Sequence, residues 1–322
     1  MILEKVHSLV GPMPFTHTRR HPLRAALALA VAGVVLSGCA AGTAAKTGVI
    51  KAVGAENQYA NVIAQVGGKY VEVSAVMSNP STDPHTFEVS TSVAQSIAGA
   101  QLVVQNGIGY DAFMEQLESA SPSPSRDVLS VQSLLGLPDD TKNPHLWYRP
   151  TTMPIVAAAV ERDLSRLQPK HEAYFKSRLE QFDRSMEPLN LAISTFRSKF
   201  AGTKVATTEP VADYLLTALG LDNVTPFRFQ ADIMNGVDPS PEDIAFQQAL
   251  FTRHRVKVFC YNAQVSSPVT EALRALAKRS GVASVAVYET MPVPGFDYQT
   301  WMIAEIAALT KAIEHNESTV SI

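Results

Sequence analysis

The sequence has little cysteine, no strong excess of charge of one sign and no hydrophobic run in its body long enough to cross a bilayer. Two cysteines among 322 residues allow at most one disulfide, which excludes a small disulfide-stapled scaffold. The formal net charge of −3 gives no sign of a nucleic-acid-binding surface. A membrane-spanning helix needs about 20 apolar residues, so the body of the chain is expected to lie outside the bilayer.

The composition is that of an ordinary globular protein. Hydrophobic residues make up 46% of the chain and charged residues 18%, which excludes a disordered, collagen-like or coiled-coil chain. A length of 322 residues corresponds to about two domains. The motifs His-Glu-x-x-His, Gly-x-Ser-x-Gly and Gly-x4-Gly-Lys are absent from the sequence, so the usual signatures of zinc proteases, α/β-hydrolases and P-loop enzymes are missing.

Residues 1–38 have the proportions of a signal peptide. A basic stretch precedes an apolar run at residues 25–36, which is too short to span the bilayer as a helix. The run ends in Leu-Ser-Gly-Cys, which resembles the bacterial lipoprotein cleavage signal, and Cys39 is then the lipidated first residue of the mature chain. We expect a lipid anchor at Cys39, a tether at residues 39–47 and a protein held at the outer face of the cytoplasmic membrane. An ordinary secretory signal or a short anchor is the alternative.

Short β-rich runs alternate with amphipathic stretches along the rest of the chain. In the first half, strands are predicted at residues 49–53, 70–77 and 102–105, and helices at 59–66 and 92–97. In the second half, strands are predicted at 204–208, 256–261 and 283–288, and helices at 211–219, 241–253, 268–279 and 298–313. This alternation predicts βαβ units around largely parallel sheets, and the two series predict two α/β lobes.

Between the two series lies the most regular hydrophobic pattern of the chain. Apolar residues recur at steps of four and three, which places all of them on one face of a helix; they are Phe175, Leu179, Phe182, Met186, Leu189, Ile193, Phe196 and Phe200. A helix over residues 170–200 is ~45 Å long, and Pro188 is expected to bend it because proline lacks a backbone donor. We predict one stiff helix that joins the lobes; two helices that meet near Pro188 are the alternative.

Two histidines and two glutamates stand in positions typical of a ligand site. His85 and His145 each follow a proline in a polar loop, and Glu209 and Glu289 each end a predicted strand of the second lobe. Loops at the carboxyl ends of strands are where open α/β sheets bind ligands. A single histidine is usually structural, and a carboxylate at a strand end is often a helix cap. The four together form a set of imidazole and carboxylate groups that suits zinc or manganese.

The motifs, taken in order, resemble the metal-binding family of solute-binding proteins, the extracellular receptors of ATP-driven zinc and manganese importers. The segments that carry the resemblance are Asp-Pro-His-Thr-Phe-Glu at 83–88, Asn-Gly-Ile-Gly-Tyr at 106–110, Asn-Pro-His-Leu-Trp at 143–147, Pro-Ser-Pro-Glu-Asp-Ile at 239–244 and Tyr-Asn at 261–262. The resemblance implies an α/β fold of two lobes with mostly parallel sheets, residues 48–168 and 201–322, joined by one long α-helix at 169–200. It also implies a metal site in the cleft between the lobes.

The resemblance implies ligands and partners as well. It makes His85, His145, Glu209 and Glu289 the metal ligands. Glu209 stands where zinc-type members often have histidine and manganese-type members often have glutamate, and Glu289 stands where many members have aspartate. The implied cargo is Zn²⁺ or Mn²⁺, and the implied partner is the cognate ABC permease in the membrane. We expect a monomeric receptor that is not an enzyme; a zinc-dependent hydrolase and a receptor for an iron chelate are the alternatives.

Other residues near these motifs have structural interpretations. Cys260 is flanked by strand residues and is predicted to be a buried core thiol without a disulfide partner. Asn106, Gly107 and Asn262 are expected to shape loops near the cleft rather than to bind metal. Trp147 either walls the site or packs in the core.

Overall fold

The computed structural model describes residues 48–79, 87–292 and 294–322. The first sheet in this part of the chain has four strands: β1 (Ile50–Glu56), β2 (Val71–Met77), β3 (Leu102–Gln105) and β4 (Asp127–Ser130). Their order is β2-β1-β3-β4, and every pairing is parallel. Strand β3 is buried at all of its residues, as expected for the interior of a parallel sheet covered on both faces.

The helices α1 (Asn57–Gly67), α2 (Thr91–Gly99), α3 (Phe113–Ala120), α4 (Val131–Leu134) and α5 (Thr152–Leu167) accompany this sheet. Helix α1 begins directly after β1 and packs its buried face against β2 and α5. A single 3₁₀ turn at Leu146–Tyr148 lies between α4 and α5. This turn is important for the site because it directly follows His145.

A long bent helix joins the two halves of the fold. It comprises α6 (Glu172–Ser185) and α7 (Glu187–Phe200), which are separated by the single residue Met186. The apolar face predicted from the sequence is confirmed, because its members are buried or half-buried against the core. Pro188 cannot donate a hydrogen bond to the preceding turn, and the helix is interrupted two residues before it. The prediction of a bend near Pro188 is therefore confirmed.

The second sheet repeats the arrangement of the first. Its strands are β5 (Lys204–Thr207), β6 (Asp222–Asn223), β7 (Val258–Asn262) and β8 (Ala283–Val287), in the order β6-β5-β7-β8 with parallel pairing. Around it lie α8 (Asp213–Ala218), α9 (Phe227–Met234), α10 (Pro241–Thr252), α11 (Pro268–Arg279) and α12 (Tyr298–His315). The last helix packs against both β8 and α7.

The predicted fold class is confirmed: two α/β halves with parallel sheets are joined by a long helix. All of the predicted strands and helices are found, with ends that differ from the predicted ones by at most three residues. Cys260 lies in β7 with 1% of its surface exposed, so the prediction of a buried thiol is also confirmed. Elements α3, α4, α5, α9, β4 and β6 were not predicted. None of the helices in the described ranges is long and apolar enough to cross a membrane.

Parallel pairing has a direct consequence for the site. The strands of each sheet end at the same edge, so the loops that follow them converge there. The centre described next is built by residues that come after β5, β7 and β8 in the second half, and after β3 and β4 in the first.

Candidate metal centre

Three of the four predicted ligands lie in the described part of the chain, and all three are buried. His145 directly precedes the 3₁₀ turn Leu146–Tyr148, and Glu209 and Glu289 each lie two residues beyond the ends of β5 and β8. Their exposed fractions are 0%, 2% and 0%, respectively. The fourth predicted ligand, His85, and the predicted lipidation site, Cys39, lie outside the described residues.

The side chain of Asn143 sets the orientation of the His145 ring. Nδ2 of Asn143 donates a hydrogen bond to the carbonyl of Pro210 at 2.8 Å, which leaves Oδ1 on the other side of the amide. This oxygen accepts the backbone N–H of His145 at 3.0 Å and lies 2.8 Å from Nδ1 of its ring. Because Oδ1 is only an acceptor, Nδ1 must carry the proton. In the neutral ring the lone pair is therefore on Nε2, which is the arrangement of a metal-binding histidine.

Glu289 is fixed by donors from both halves of the fold. Its Oε1 accepts a hydrogen bond from Nδ2 of Asn262 at 2.6 Å, and its Oε2 accepts one from the hydroxyl of Tyr110 at 2.8 Å. Its backbone N–H donates to Oε1 of Gln264 at 2.6 Å. The fully buried carboxylate is thus held in one orientation.

The lone pair of His145 and the carboxylate of Glu289 face each other. Nε2 lies 3.4 Å from Oε2 of Glu289 and makes no hydrogen bond with the described residues. Two ligand atoms at zinc distances of 2.0–2.2 Å and a tetrahedral angle are about 3.3–3.6 Å apart. The separation therefore fits a cation bound by both atoms.

Glu209 belongs to a loop that is tied to the loop of His145. The bond from Asn143 to the carbonyl of Pro210 joins the two loops, and the hydroxyl of Tyr214 donates to the carbonyl of Asn143 at 3.0 Å. Of the predicted ligands, the structure brings His145 and Glu289 together. Residues 48–79, 87–292 and 294–322 contain no group of three or more His, Cys, Asp and Glu side chains spaced to hold a metal ion.

Aromatic rings enclose the His145 side of the centre. Trp147 is fully buried, and its ring lies edge-on to that of His145 with a centroid separation of 5.4 Å. The ring of Tyr110 lies 5.8 Å from His145 and 5.1 Å from Trp147, again edge-on. Trp147 therefore both packs in the core and walls the site, and a buried centre with apolar walls strengthens electrostatic interactions inside it.

The segment that carries Glu289 is held by side chains of the first half of the chain. Asn57 binds both backbone groups of Met291, donating to its carbonyl at 2.8 Å and accepting its N–H at 2.9 Å. Gln58 donates to the carbonyl of Glu289 at 3.1 Å. The hydroxyl of Tyr148 contacts the carbonyl and the N–H of Tyr288 at 2.8 and 3.2 Å. Residues 288–291 are therefore bound by the first half although they belong to the second.

Three further carboxyl groups are buried around the cleft, and burial raises the pKa of each. Burial, followed by the negative charge of Asp111, raises the pKa of Glu56 well above its ordinary value. Burial raises the pKa of Asp111 to about 6, although hydrogen bonds from the backbone N–H groups of Gly107 and Asn106 favour the charged form. Burial raises the pKa of Glu305 to about 8. Protonation of such groups limits the negative charge around the cleft near neutral pH.

Several of these residues had no role in the prediction from sequence. Tyr110 and Asn143 stand in the motifs that carry the family resemblance, but only their contacts show that they orient Glu289 and His145. Asn106 and Asn262 do organise the cleft loops, since Asn106 donates to the carbonyl of Pro144 at 2.9 Å and Asn262 binds Glu289. Nothing in the sequence marks Glu305, because a single buried glutamate on a helix has the same local sequence pattern as a solvent-exposed one.

Comparisons with known proteins agree with this architecture. The family model described as "ZnuA: Zinc-uptake complex component A periplasmic" matches residues 53–312. The manganese-binding lipoprotein MntA of Bacillus subtilis (strain 168) is 22% identical over 171 residues, which are 51% of this chain and 56% of MntA. A protein of Treponema pallidum (strain Nichols) that is named for metal binding is 22% identical over 291 residues, 82% of this chain and 89% of its own length.

Solved structures show the same fold. The solute-binding protein FpvC of Pseudomonas aeruginosa, in complex with Mn²⁺, superposes with a TM-score of 0.68 at 20% identity, over 84% of this chain and 99% of FpvC. The periplasmic zinc-binding protein TroA of Treponema pallidum superposes with a TM-score of 0.69 at 16% identity, over 84% of this chain and 100% of TroA.

Proposed function

The chain belongs to the ZnuA family of periplasmic zinc-uptake components, and on that basis we propose that it is an extracytoplasmic receptor for a divalent metal ion. In this proposal the protein captures Zn²⁺ or Mn²⁺ in the cleft between its two halves and delivers the ion to an ABC-type permease in the membrane. The relatives and structural neighbours named above for manganese and zinc support this class of cargo.

One observation carries the proposal. Two buried atoms with lone pairs, Nε2 of His145 and Oε2 of Glu289, lie 3.4 Å apart, and Asn143 keeps the proton of the imidazole on the opposite nitrogen. When His145 is neutral, both atoms are acceptors, and two acceptors that face each other in a buried site repel one another unless a positive charge, a proton or a metal ion, lies between them. A divalent cation bound by both atoms supplies that charge.

The proposed ligands are His85, His145, Glu209 and Glu289. Two imidazoles and two carboxylates suit zinc, and they also suit manganese. The general order of affinity places zinc above manganese at such a site, so the ligand types alone leave both ions as candidates. Four protein ligands also fill a tetrahedral site and leave no open position for a reactive water, which favours binding over catalysis.

The remainder of the chain is assigned by the same proposal. Residues 1–38 form a signal peptide, Cys39 carries a lipid anchor, and residues 39–47 form a tether to the membrane surface. Residues 48–168 and 201–322 form the two lobes, and residues 169–200 form the linker helix. A tethered monomer keeps the receptor near its permease without a spanning helix.

The proposal is tested by competitive titration of the purified, metal-depleted protein with Zn²⁺ and Mn²⁺. We expect one ion per chain, with an affinity that falls more than about 100-fold in His145→Ala, since loss of a ligand exceeds the usual effect of losing an outer partner. The exposed His254 provides the control, and His254→Ala is expected to bind as the wild type does. Absence of binding by the wild type contradicts the proposal.

A third variant, Glu209→His, distinguishes a manganese receptor from a zinc receptor. Tight binding of manganese by the wild type that shifts toward zinc in this variant identifies a manganese receptor. Tight zinc binding with weak manganese binding by the wild type identifies a zinc receptor.

The same preparation tests the two alternative functions. Hydrolysis of chromogenic esters or phosphates by the metal-loaded protein that disappears in Glu289→Gln indicates a hydrolase. Fluorescence quenching by a siderophore that persists in His85→Ala indicates a receptor for an iron chelate.

A further inference from the structure

The carboxylate of Glu289 has a hydrogen-bond donor on each of its oxygens. Asn262 donates to Oε1 at 2.6 Å, and Tyr110 donates to Oε2 at 2.8 Å. Oε2 is also the atom that lies 3.4 Å from Nε2 of His145. The donors come from the end of β7 and from the loop after β3, so together they fix the plane of the carboxylate and determine which oxygen faces the histidine.

The loop that carries Tyr110 is held in a strained conformation. Residues 107–109 have consecutive φ angles of 83°, 56° and 72°, and the middle one is Ile108. A β-branched residue rarely adopts a positive φ, and a protein keeps such strain only where surrounding contacts enforce it. Here the carboxylate of Asp111 accepts the N–H of Gly107 at 2.9 Å, and Gln132 accepts the N–H of Ile108 at 2.7 Å. Strain of this kind clusters at ligand sites, and in this loop it sets the position of Tyr110.

Both donors are restrained beyond their bond to Glu289. The ring of Tyr110 packs edge-on against His145 and Trp147, which limits its rotation. Oδ1 of Asn262 accepts the N–H of Gln264 at 3.0 Å, and this contact fixes which side of its amide points at the carboxylate. The orientation of Glu289 is therefore built in before an ion arrives.

We propose that Tyr110 and Asn262 are positioning residues that make the site favour zinc over manganese, an inference that rests on the proposed function. Zinc is satisfied by four ligands and by one oxygen of a carboxylate. Manganese takes more ligands, most of them oxygens, and the second oxygen of Glu289 is an available source. Turning both oxygens to one ion moves the carboxylate away from Tyr110, Asn262 or both. Zinc binding keeps both hydrogen bonds, whereas manganese binding loses one.

The inference is tested by measuring the dissociation constants of Zn²⁺ and Mn²⁺ for the wild type and for Tyr110→Phe. The variant keeps the ring that packs on His145 and removes only the hydroxyl. The ratio of the manganese constant to the zinc constant is expected to fall about tenfold, the factor that corresponds to about 1.4 kcal/mol, which is close to one hydrogen bond to a charged group. Tyr174→Phe is the control, because the hydroxyl of Tyr174 on the linker helix accepts the N–H of Lys69 and should leave the ratio unchanged.

The outcomes separate this inference from the proposed function. If the wild type binds neither ion, both are wrong. If the wild type binds metal and the ratio in Tyr110→Phe is unchanged, or both affinities fall in parallel, the receptor stands and the selectivity role is overturned.

Crystal structures of the wild type loaded with each ion give a second test that needs no variant. With zinc we expect one oxygen of Glu289 on the ion and both hydrogen bonds intact. With manganese we expect at least one of these bonds to be broken. Two intact bonds in the manganese form overturn the inference.

Discussion

At the scale of single residues, the amide of Asn143 controls the chemistry of the centre. It fixes the protonated nitrogen of His145 and at the same time joins the loop of His145 to that of Glu209 through the carbonyl of Pro210. A partner that orients a ligand histidine in this way is worth roughly a factor of 10 to 100 in metal affinity. Asn143 is therefore as much a part of the proposed site as the proposed ligands.

The first prediction concerns this residue. Asn143→Ala removes the acceptor for Nδ1, so the imidazole can rotate or change tautomer, and the zinc affinity is expected to fall about 10- to 100-fold. Calorimetric titration measures the change. Asn190 is exposed on the linker helix, and Asn190→Ala serves as the control. Equal affinities for Asn143→Ala and the wild type contradict the role of the amide.

The second prediction concerns the stability of the metal-depleted protein against pH. The hydroxyl of Tyr148 has one proton but contacts two acceptors, the carbonyl of Tyr288 at 2.8 Å and Oε1 of Glu305 at 3.1 Å. When Glu305 is protonated, its carboxyl group donates a hydrogen bond to the hydroxyl of Tyr148. That hydroxyl then donates its own proton to the carbonyl of Tyr288. Burial raises the pKa of Glu305 from 4.5 to about 8. An acid whose folded pKa is raised contributes stability that is complete below the unfolded pKa and is lost as pH rises through the folded pKa.

The expected loss between about pH 4.5 and pH 8 is at most about 5 kcal/mol in the free energy of unfolding. Glu305→Gln mimics the neutral acid, so it should match the wild type near pH 5 and be more stable than the wild type at pH 9. Urea unfolding at both pH values measures this. The exposed Glu314 gives the matched control, Glu314→Gln. The same pH dependence in the wild type and Glu305→Gln contradicts the prediction.

Some residues of the site could be predicted from the sequence, and the contacts between distant residues could not. His145, Glu209 and Glu289 could be proposed because their local contexts, a Pro-His dipeptide and the ends of β-rich runs, are visible in the sequence. Tyr110 and Glu289 are 179 positions apart, and Tyr148 and Glu305 are 157 positions apart. No local pattern connects such pairs, because only the packing of the two halves brings them together.

At the scale of elements, the backbone of residues 288–291 is bound by side chains of the first half. Asn57 at the start of α1 makes two hydrogen bonds to the backbone of Met291, and Gln58 and Tyr148 bind the backbone of Glu289 and Tyr288, respectively. The segments that follow β1 and β8 are thus connected by side chains, and this connection fixes the position of Glu289 in the cleft.

The third prediction tests that connection. Asn57→Ala leaves the buried N–H and carbonyl of Met291 without these partners, which is expected to cost about 2 kcal/mol or more in the free energy of unfolding. Hydrogen exchange should become faster at residues 288–291 and stay unchanged in β3. Asn190→Ala again serves as the control. Unchanged exchange at residues 288–291 in Asn57→Ala contradicts the assignment.

Elements differed in how well the sequence predicted them. The linker helix was predicted with its bend, because its apolar face persists over eight positions and Pro188 marks the interruption. Strand β6, of two residues, and helix α4, of four residues, are too short for a hydrophobic pattern to repeat within them. Their conformations are set by pairing with β5 and β4, respectively, rather than by local preference.

At the scale of the whole molecule, two similar α/β halves direct the carboxyl ends of their strands at a common cleft. In the proposed metal site, the first half supplies His145 with its aromatic wall, and the second supplies Glu209 and Glu289. The long bent helix and the bonds to residues 288–291 connect the halves on either side of the centre. A metal ion that binds only the folded chain stabilises it by ~4 kcal/mol at a thousandfold excess over the dissociation constant, so the proposed function links metal binding to the stability of this molecule.

The most direct test of the account is the anomalous scattering of zinc in crystals of the zinc-loaded protein. We predict one strong peak per chain, about 2.0–2.2 Å from Nε2 of His145 and from one carboxylate oxygen each of Glu209 and Glu289, with His85 as the fourth ligand. A map without a peak between His145 and Glu289, or with the ion held by other side chains, would contradict the assignment of this cleft as the metal centre.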